Sequence, residues 1–146
     1  MANNPPGDDM TDKHELIALA ERVEALTKPC QETDAHIRKA VYCPQGFVEL
    51  SPFNGRWCVF DGTYDRSGRP RGFEGPGKMM AFTASLDASM TLVPEGVYFA
   101  VRNLPPEPAW AYCGDRETPS TGIAATPALA LTAAALRSLA ERERQQ

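Results

Sequence analysis

Apolar residues recur at three- and four-residue steps near the start of the chain and alternate with polar ones further on. In "TDKHELIALAERVEALTK", Leu16, Leu19, Ala20, Val23 and Leu26 share one helical stripe, while Lys13, Glu15, Glu21, Arg22 and Glu24 charge the other side. The pattern predicts a helix over 12–27, opened by Thr11 as cap and ended at Lys28-Pro29, since the residue before proline is pushed out of helical geometry. A shorter helix is predicted over 34–41 behind Thr33, with Ile37, Ala40 and Val41 inward. "GFVEL" and "RWCVF" read as strands near 46–50 and 56–60, joined by the turn chemistry of "SPFNG". "TASLDASMTLVPEG" predicts a helix over 84–93, capped by Thr83 or Ser85, with Leu86, Met90 and Val93 inward and Pro94 and Gly96 as stops. "VYFAVR" alternates as a half-buried strand over 97–102, and "AWAYC", 109–113, is its partner with Trp110 and Tyr112 on one face. Thr126 then caps a helix over 127–143, whose first position is Pro127, where a missing N–H costs nothing. Leu129, Leu136 and Ala140 form its stripe, Ala133 lies between them, and Glu141 to Gln146 are expected to fray.

These elements make an α+β domain over 11–143, preceded by a flexible tail at 1–10. Its expected form is sandwich-like: a small, mostly antiparallel sheet covered by about four helices. A chain of 146 residues buries roughly two thirds of its unfolded surface and needs neither metal nor disulfide to fold. The net charge of -4 excludes broad nucleic-acid or anionic-membrane binding, because either needs a basic footprint. No apolar run approaches the roughly 20 residues of a membrane span. "MANNPPGDDM" lacks the basic and apolar regions of a signal peptide, so the cytoplasm is the expected compartment. Cys30, Cys43, Cys58 and Cys113 form no C-x-x-C pair, and the only histidines are His14 and His36. Four free thiols, no metal and no cofactor are therefore expected.

The stretch at 61–78, "DGTYDRSGRPRGFEGPGK", loses all periodicity and reads as a long irregular loop, a type that is uncommon in compact domains and often functional. Within it Gly72, Gly77 and Lys78 satisfy the phosphate-loop pattern G-x-x-x-x-G-K, but Met79 stands where a magnesium-binding hydroxyl is needed. Arg66, Arg69, Arg71 and Lys78, interleaved with Tyr64 and Phe73, supply guanidinium forks and aromatic faces for an anion or an acidic partner surface. A second candidate surface is the aromatic hairpin with Tyr98, Trp110 and Tyr112. "ETDAH" places Glu32, Asp34 and His36 at alternate positions, which point apart on a helix, and reads as an acidic first turn. "DGTYD" lacks calcium-loop spacing, G-x-S-x-G is absent, and no catalytic constellation emerges.

"FTASLDASMTLVPEG" and "AATPALALTAAAL" resemble a group of small phage and prophage proteins, and the wider set resembles the phage ABA sandwich domain, in which helices cover a small sheet. The resemblance covers mainly residues 82–139, with "ETDAHIRKAV" fainter. Where the family has tryptophan after "VPEG", this chain has Val97-Tyr98. The resemblance implies a phage setting and brings no catalytic residues. Together with the basic loop it leads to a non-enzymatic accessory protein. Such a protein binds a host factor, as a host-defence antagonist does, or sequesters a small anionic ligand. The alternatives are a small enzyme of unassigned chemistry and a virion structural or assembly protein.

Overall fold

The computed structural model describes residues 5–78 and 80–145, and side chains within 13–78 and 80–142. The elements are α1 (Pro5–Ala25), α2 (Gln31–Tyr42), β1 (Phe47–Leu50), β2 (Trp57–Tyr64), β3 (Pro70–Gly72), α3 (Leu86–Met90), β4 (Tyr98–Arg102), β5 (Ala109–Gly114), β6 (Ser120–Ala124) and α4 (Pro127–Gln145). The protein is α+β, and its strands divide into two antiparallel three-stranded sheets instead of the single sheet expected, ordered β1-β2-β3 and β4-β5-β6.

α4 is the centre of the molecule. Every residue from Ala128 to Leu136 is buried, including Leu129 and Leu136. α1 packs on one side of α4, the β4-β5-β6 sheet on another, and α3 on a third. Over this stretch the helix has no solvent face to decorate. Alanine lets its neighbours come close, and at β6 they do. A Cβ on Gly122 would run into the Ala130 carbonyl oxygen and stand 2.9 Å from Ala134 N. Thr126 caps the helix as expected, accepting from Leu129 N at 3.2 Å. The buried Thr132 hydroxyl donates to Phe82 O at 3.0 Å.

β5 alternates cleanly. Ala109, Ala111 and Cys113 are fully buried toward α4, while Trp110 and Tyr112 lie half-buried on the other face. Leu16, Leu19, Ala20 and Val23 of α1 join the same core, with Ile37, Ala40, Phe82 and Leu92. A smaller cluster underlies the first sheet: Ala35, Cys43 and Val59, flanked by half-buried Val48, Trp57 and Phe73. α2 bridges the two regions by packing on both α1 and β2. All four cysteines are unbridged.

Several expectations are corrected. α1 begins at Pro5, inside the segment read as a tail, while residues 1–4 lie outside the described residues, as does the side chain of Thr11. α4 continues to Gln145 without fraying at Glu141. α2 begins at Gln31 behind Cys30, and Thr33 is a buried first-turn residue, because Asp34 N already bonds Cys30 O at 3.0 Å. Ser85 caps α3, accepting from Ala88 N, but the helix lasts five residues. In so short a helix most of the inward stripe fails: Leu86 and Met90 are exposed, Val93 is half-buried against the core, and Ala88, Ser89 and Leu92 are buried. β6 falls where turn residues were read.

The segment 61–78 is corrected most. β2 extends to Tyr64 and pairs with β3, so the supposed irregular loop is a hairpin followed by a short turn-rich segment. Its register shifts between Phe60 and Tyr64, where Gly62 takes a φ of +89° beside Gln45 O. This bulge breaks the alternation that would have marked the strand in the sequence.

Candidate functional site

α2, the first sheet and the segment after β3 enclose a cleft of about 430 Å³. α2 contributes Asp34 and Arg38, one helical turn apart and therefore on one face. β2 and the turn before it contribute Arg56, Trp57, Cys58 and Val59; the opposite wall holds Phe73, Glu74, Gly77, Lys78, Met80 and Ala81.

Arg38 holds that wall in place. Its Nε donates to Pro76 O at 2.9 Å, and its Nη2 donates to Phe73 O at 2.9 Å and Gly75 O at 3.0 Å. The guanidinium also lies 4.6 Å from the centre of the Phe73 ring. Gly77 has a φ of +83°, and a Cβ there would press on Tyr42 and on Arg38 Cγ at 3.1–3.2 Å. The glycines of "GFEGPGK" thus let a loop close over an arginine. A phosphate loop works by presenting backbone N–H groups to an anion. Here three carbonyls converge on a cation, the next described helix, α3, starts only at Leu86, and Lys78 Nζ is paired with Glu74 Oε1 at 2.8 Å.

Asp34 anchors the other end. Its Oδ1 accepts from Thr83 N at 2.8 Å and from Thr83 Oγ1 at 2.9 Å, and Cys30 N donates to that same hydroxyl at 2.9 Å. Burial pushes the Asp34 carboxyl above its ordinary pKa, and the bonds from Thr83 offset part of the rise. Arg56, exposed at the cleft, has no carboxylate partner among the described residues. The cleft therefore offers one unpaired guanidinium, a half-buried carboxylate, and apolar walls from Trp57, Val59 and Phe73.

Of the residues singled out in the hairpin region, Phe73 and Lys78 line this cleft. Tyr64, Arg66, Arg69 and Arg71 lie exposed along the β2–β3 hairpin. Its turn is closed by Asp65, whose Oδ1 accepts from Ser67 N at 2.8 Å, Ser67 Oγ at 2.6 Å and Arg69 N at 3.0 Å. The Ser67 hydroxyl, with the Arg69 and Ser67 amides and the charge of Arg71, lowers the Asp65 pKa. Asp61 is lowered similarly, first by the Thr63 hydroxyl and also by Arg71. Arg71 thus stands in the field of two carboxylates.

Tyr98, Trp110 and Tyr112 come together on the outer face of the second sheet, with 5.5 Å between the Trp110 and Tyr112 ring centres. Asp34, Arg38, Arg56 and Trp57 were not among the residues singled out as a binding site. Among the described residues no group of three His, Cys, Asp or Glu side chains is placed to hold a metal. No described helix is long and apolar enough to cross a membrane.

The arrangement is that of a small α+β protein with a mixed-charge, aromatic-walled cleft beside its minor sheet. Comparison with protein-family models, curated proteins and solved structures finds no significant match.

Proposed function

We propose that this is a non-enzymatic binding module whose cleft between α2 and the first sheet takes a small anionic ligand. The observation that carries the reading is the unpaired Arg56 guanidinium on a 430 Å³ concavity walled by Trp57 and Phe73. A pocket of this size, mostly apolar with a few fixed polar groups, is the usual form of a small-molecule site. Arg38, tied to three carbonyls, holds the pocket's shape, which leaves Arg56 to meet the anion. Neither His14 nor His36 lines the cleft, and among the described residues no base is hydrogen-bonded to Cys58, whose thiol donates to Arg56 O at 3.6 Å. This favours binding over catalysis. The resemblance of residues 82–139 to small phage proteins supports a setting in a phage-infected cell, where the ligand or a host factor is the target.

Trp57 reports on the cleft and Trp110 does not, so a Trp110→Phe variant isolates the signal. Titrating this variant with inorganic phosphate, pyrophosphate, adenosine monophosphate and citrate should give saturable quenching for at least one of them. Arg56→Ala should weaken that binding by about tenfold or more, as loss of a charge-assisted bond does, with melting unchanged. Silence from all four anions, or indifference to Arg56→Ala, would move the anion site to Arg66, Arg69 and Arg71 on the hairpin.

A further inference from the structure

Among the described residues the second sheet is covered on one face only. α4 packs on the side carrying Ala109, Ala111 and Cys113. On the other side Arg102, Trp110 and Ile123 stand in cross-strand register, as do Ala100, Tyr112 and Thr121, with Tyr98 opposite Gly114. Tyr98 is 57% exposed, Ile123 53% and the adjoining Leu104 58%, an aromatic and aliphatic surface open to solvent. Beside Trp110 a depression of about 210 Å³ is walled by Leu104, Pro108, Trp110 and Ile123, with Arg102 and Glu107.

Two guanidiniums lie over aromatic rings of this surface. Arg102 is 5.5 Å from the centre of the Trp110 ring, and Arg116 is 5.5 Å from that of Tyr98. Neither has a carboxylate partner among the described residues. Stacking on a ring fixes an arginine in place and leaves its donor edge free. The outer edge of β6, in contrast, is already closed: Ile123 N donates to Glu24 Oε2 at 2.9 Å, and Thr121 O accepts from Arg137 at 2.8 Å. A partner at this side of the molecule therefore meets side chains on the face.

We propose that this face docks an extended acidic segment of another protein, with one large apolar side chain in the depression beside Trp110 and carboxylates on Arg102 and Arg116. The site is separate from the cleft and does not rest on it. Charge selects the occupant. Two arginines suit two carboxylates, whereas a nucleic-acid strand draws its affinity from many phosphate contacts, more than two arginines supply. A second copy presents the same two arginines again. Rigid tyrosine, tryptophan and arginine anchors are the side chains that dominate protein interfaces.

The test is selection from a displayed random 12-residue peptide library on the wild-type protein, with counter-selection on an Arg102→Glu/Leu104→Ser variant. Both positions are exposed, so the variant folds, and its melting curve checks this. Enriched peptides should share an Asp or Glu near a large apolar residue. The best peptide, synthesised with a fluorophore, should bind at least tenfold more weakly to Arg102→Glu and to Leu104→Ser, and normally to Arg56→Ala. Replacing its acid by lysine should abolish binding to wild type and restore binding to Arg102→Glu. Four results would overturn the proposal: no enrichment, enriched peptides without acids, a concentration-dependent dimer that Leu104→Ser abolishes, or oligothymidine binding that depends on Tyr98 and Arg116. The dimer would assign the face to a second copy, and the oligothymidine result would assign it to a nucleic acid.

Discussion

Thr83 donates both its backbone N–H and its hydroxyl to Asp34 Oδ1, and its hydroxyl oxygen accepts from Cys30 N. One buried side chain thus ties the first turn of α2 to the entry of α3. Asp34 serves this network as an acceptor, and its charge is a burden there, because burial raises its pKa. Asp34→Asn keeps an oxygen for both bonds and removes the desolvated charge. It should melt at or above the wild-type temperature at pH 7. Asp34→Ala leaves two buried donors without an acceptor and should cost about 2 kcal/mol. The sign of the pH effect follows from the raised pKa. The contribution of Asp34 to stability is present below its unfolded pKa and lost as pH rises through its folded one. Any gain from Asp34→Asn should therefore fade in acid, where the wild-type carboxyl is itself protonated. Melting curves at pH 7 and below pH ~4 check both statements.

Among the elements, α4 and β6 approach backbone to backbone at Gly122. Gly122→Ala places a methyl group against the Ala130 carbonyl and Ala134 N, both backbone atoms that cannot rotate away. Overpacking of this kind should cost about 3 kcal/mol, read from the urea midpoint. Leu129→Asp or Leu136→Asp should unfold the domain, since each buries an unpaired charge at the centre. The helix itself was legible, because Thr126, Pro127 and an apolar stripe are local signals. β6 was not legible: "STGIA" is short, and its Gly122 is there for contact with a helix that comes later in the chain. The hairpin of β2 and β3 was hidden by the Gly62 bulge and by the glycines, prolines and aspartates of its turn. At the cleft, Phe73 and Lys78 stood out as part of a patterned loop. Asp34, Arg38, Arg56 and Trp57 did not, because the cleft exists only where α2 meets a segment some 35–38 residues further on, and periodicity is blind to that distance. The one available hint was chemical: a glycine-rich loop with many free carbonyls needs a donor such as Arg38.

Across the whole molecule, α1 and α4 are joined by a forked ion pair. Arg137 Nη1 and Nη2 each donate to Glu24 at 2.7 Å, across 113 residues, and the same carboxylate accepts from Ile123 N. The Arg137 bonds hold the Glu24 carboxyl below its ordinary pKa, against the opposing effect of burial. Here the sign is the reverse of that for Asp34. The stabilisation is complete above the unfolded carboxylate pKa and is lost as pH falls through the depressed folded value. Glu24→Gln should cost about 1–2 kcal/mol at pH 7, and its gap to wild type should close in acid. A gap that stays constant with pH would assign the effect to packing alone. The pair also shows how far apart in sequence the decisive contacts are. On the inner face of the second sheet the central strand contributes only Ala109, Ala111 and Cys113, small side chains that bury little against one another. Their cover is α4, which follows them in the chain, and the cover of α4 is α1, which comes first. As the polypeptide emerges from a ribosome, the sheet strands appear before α4, their main cover. Closing the long loop from α1 to α4 costs more chain entropy than a local contact does. The nascent chain therefore passes through an interval in which α1 has α2 to pack on but not yet α4, and the part of its apolar stripe that α4 will cover is open to solvent.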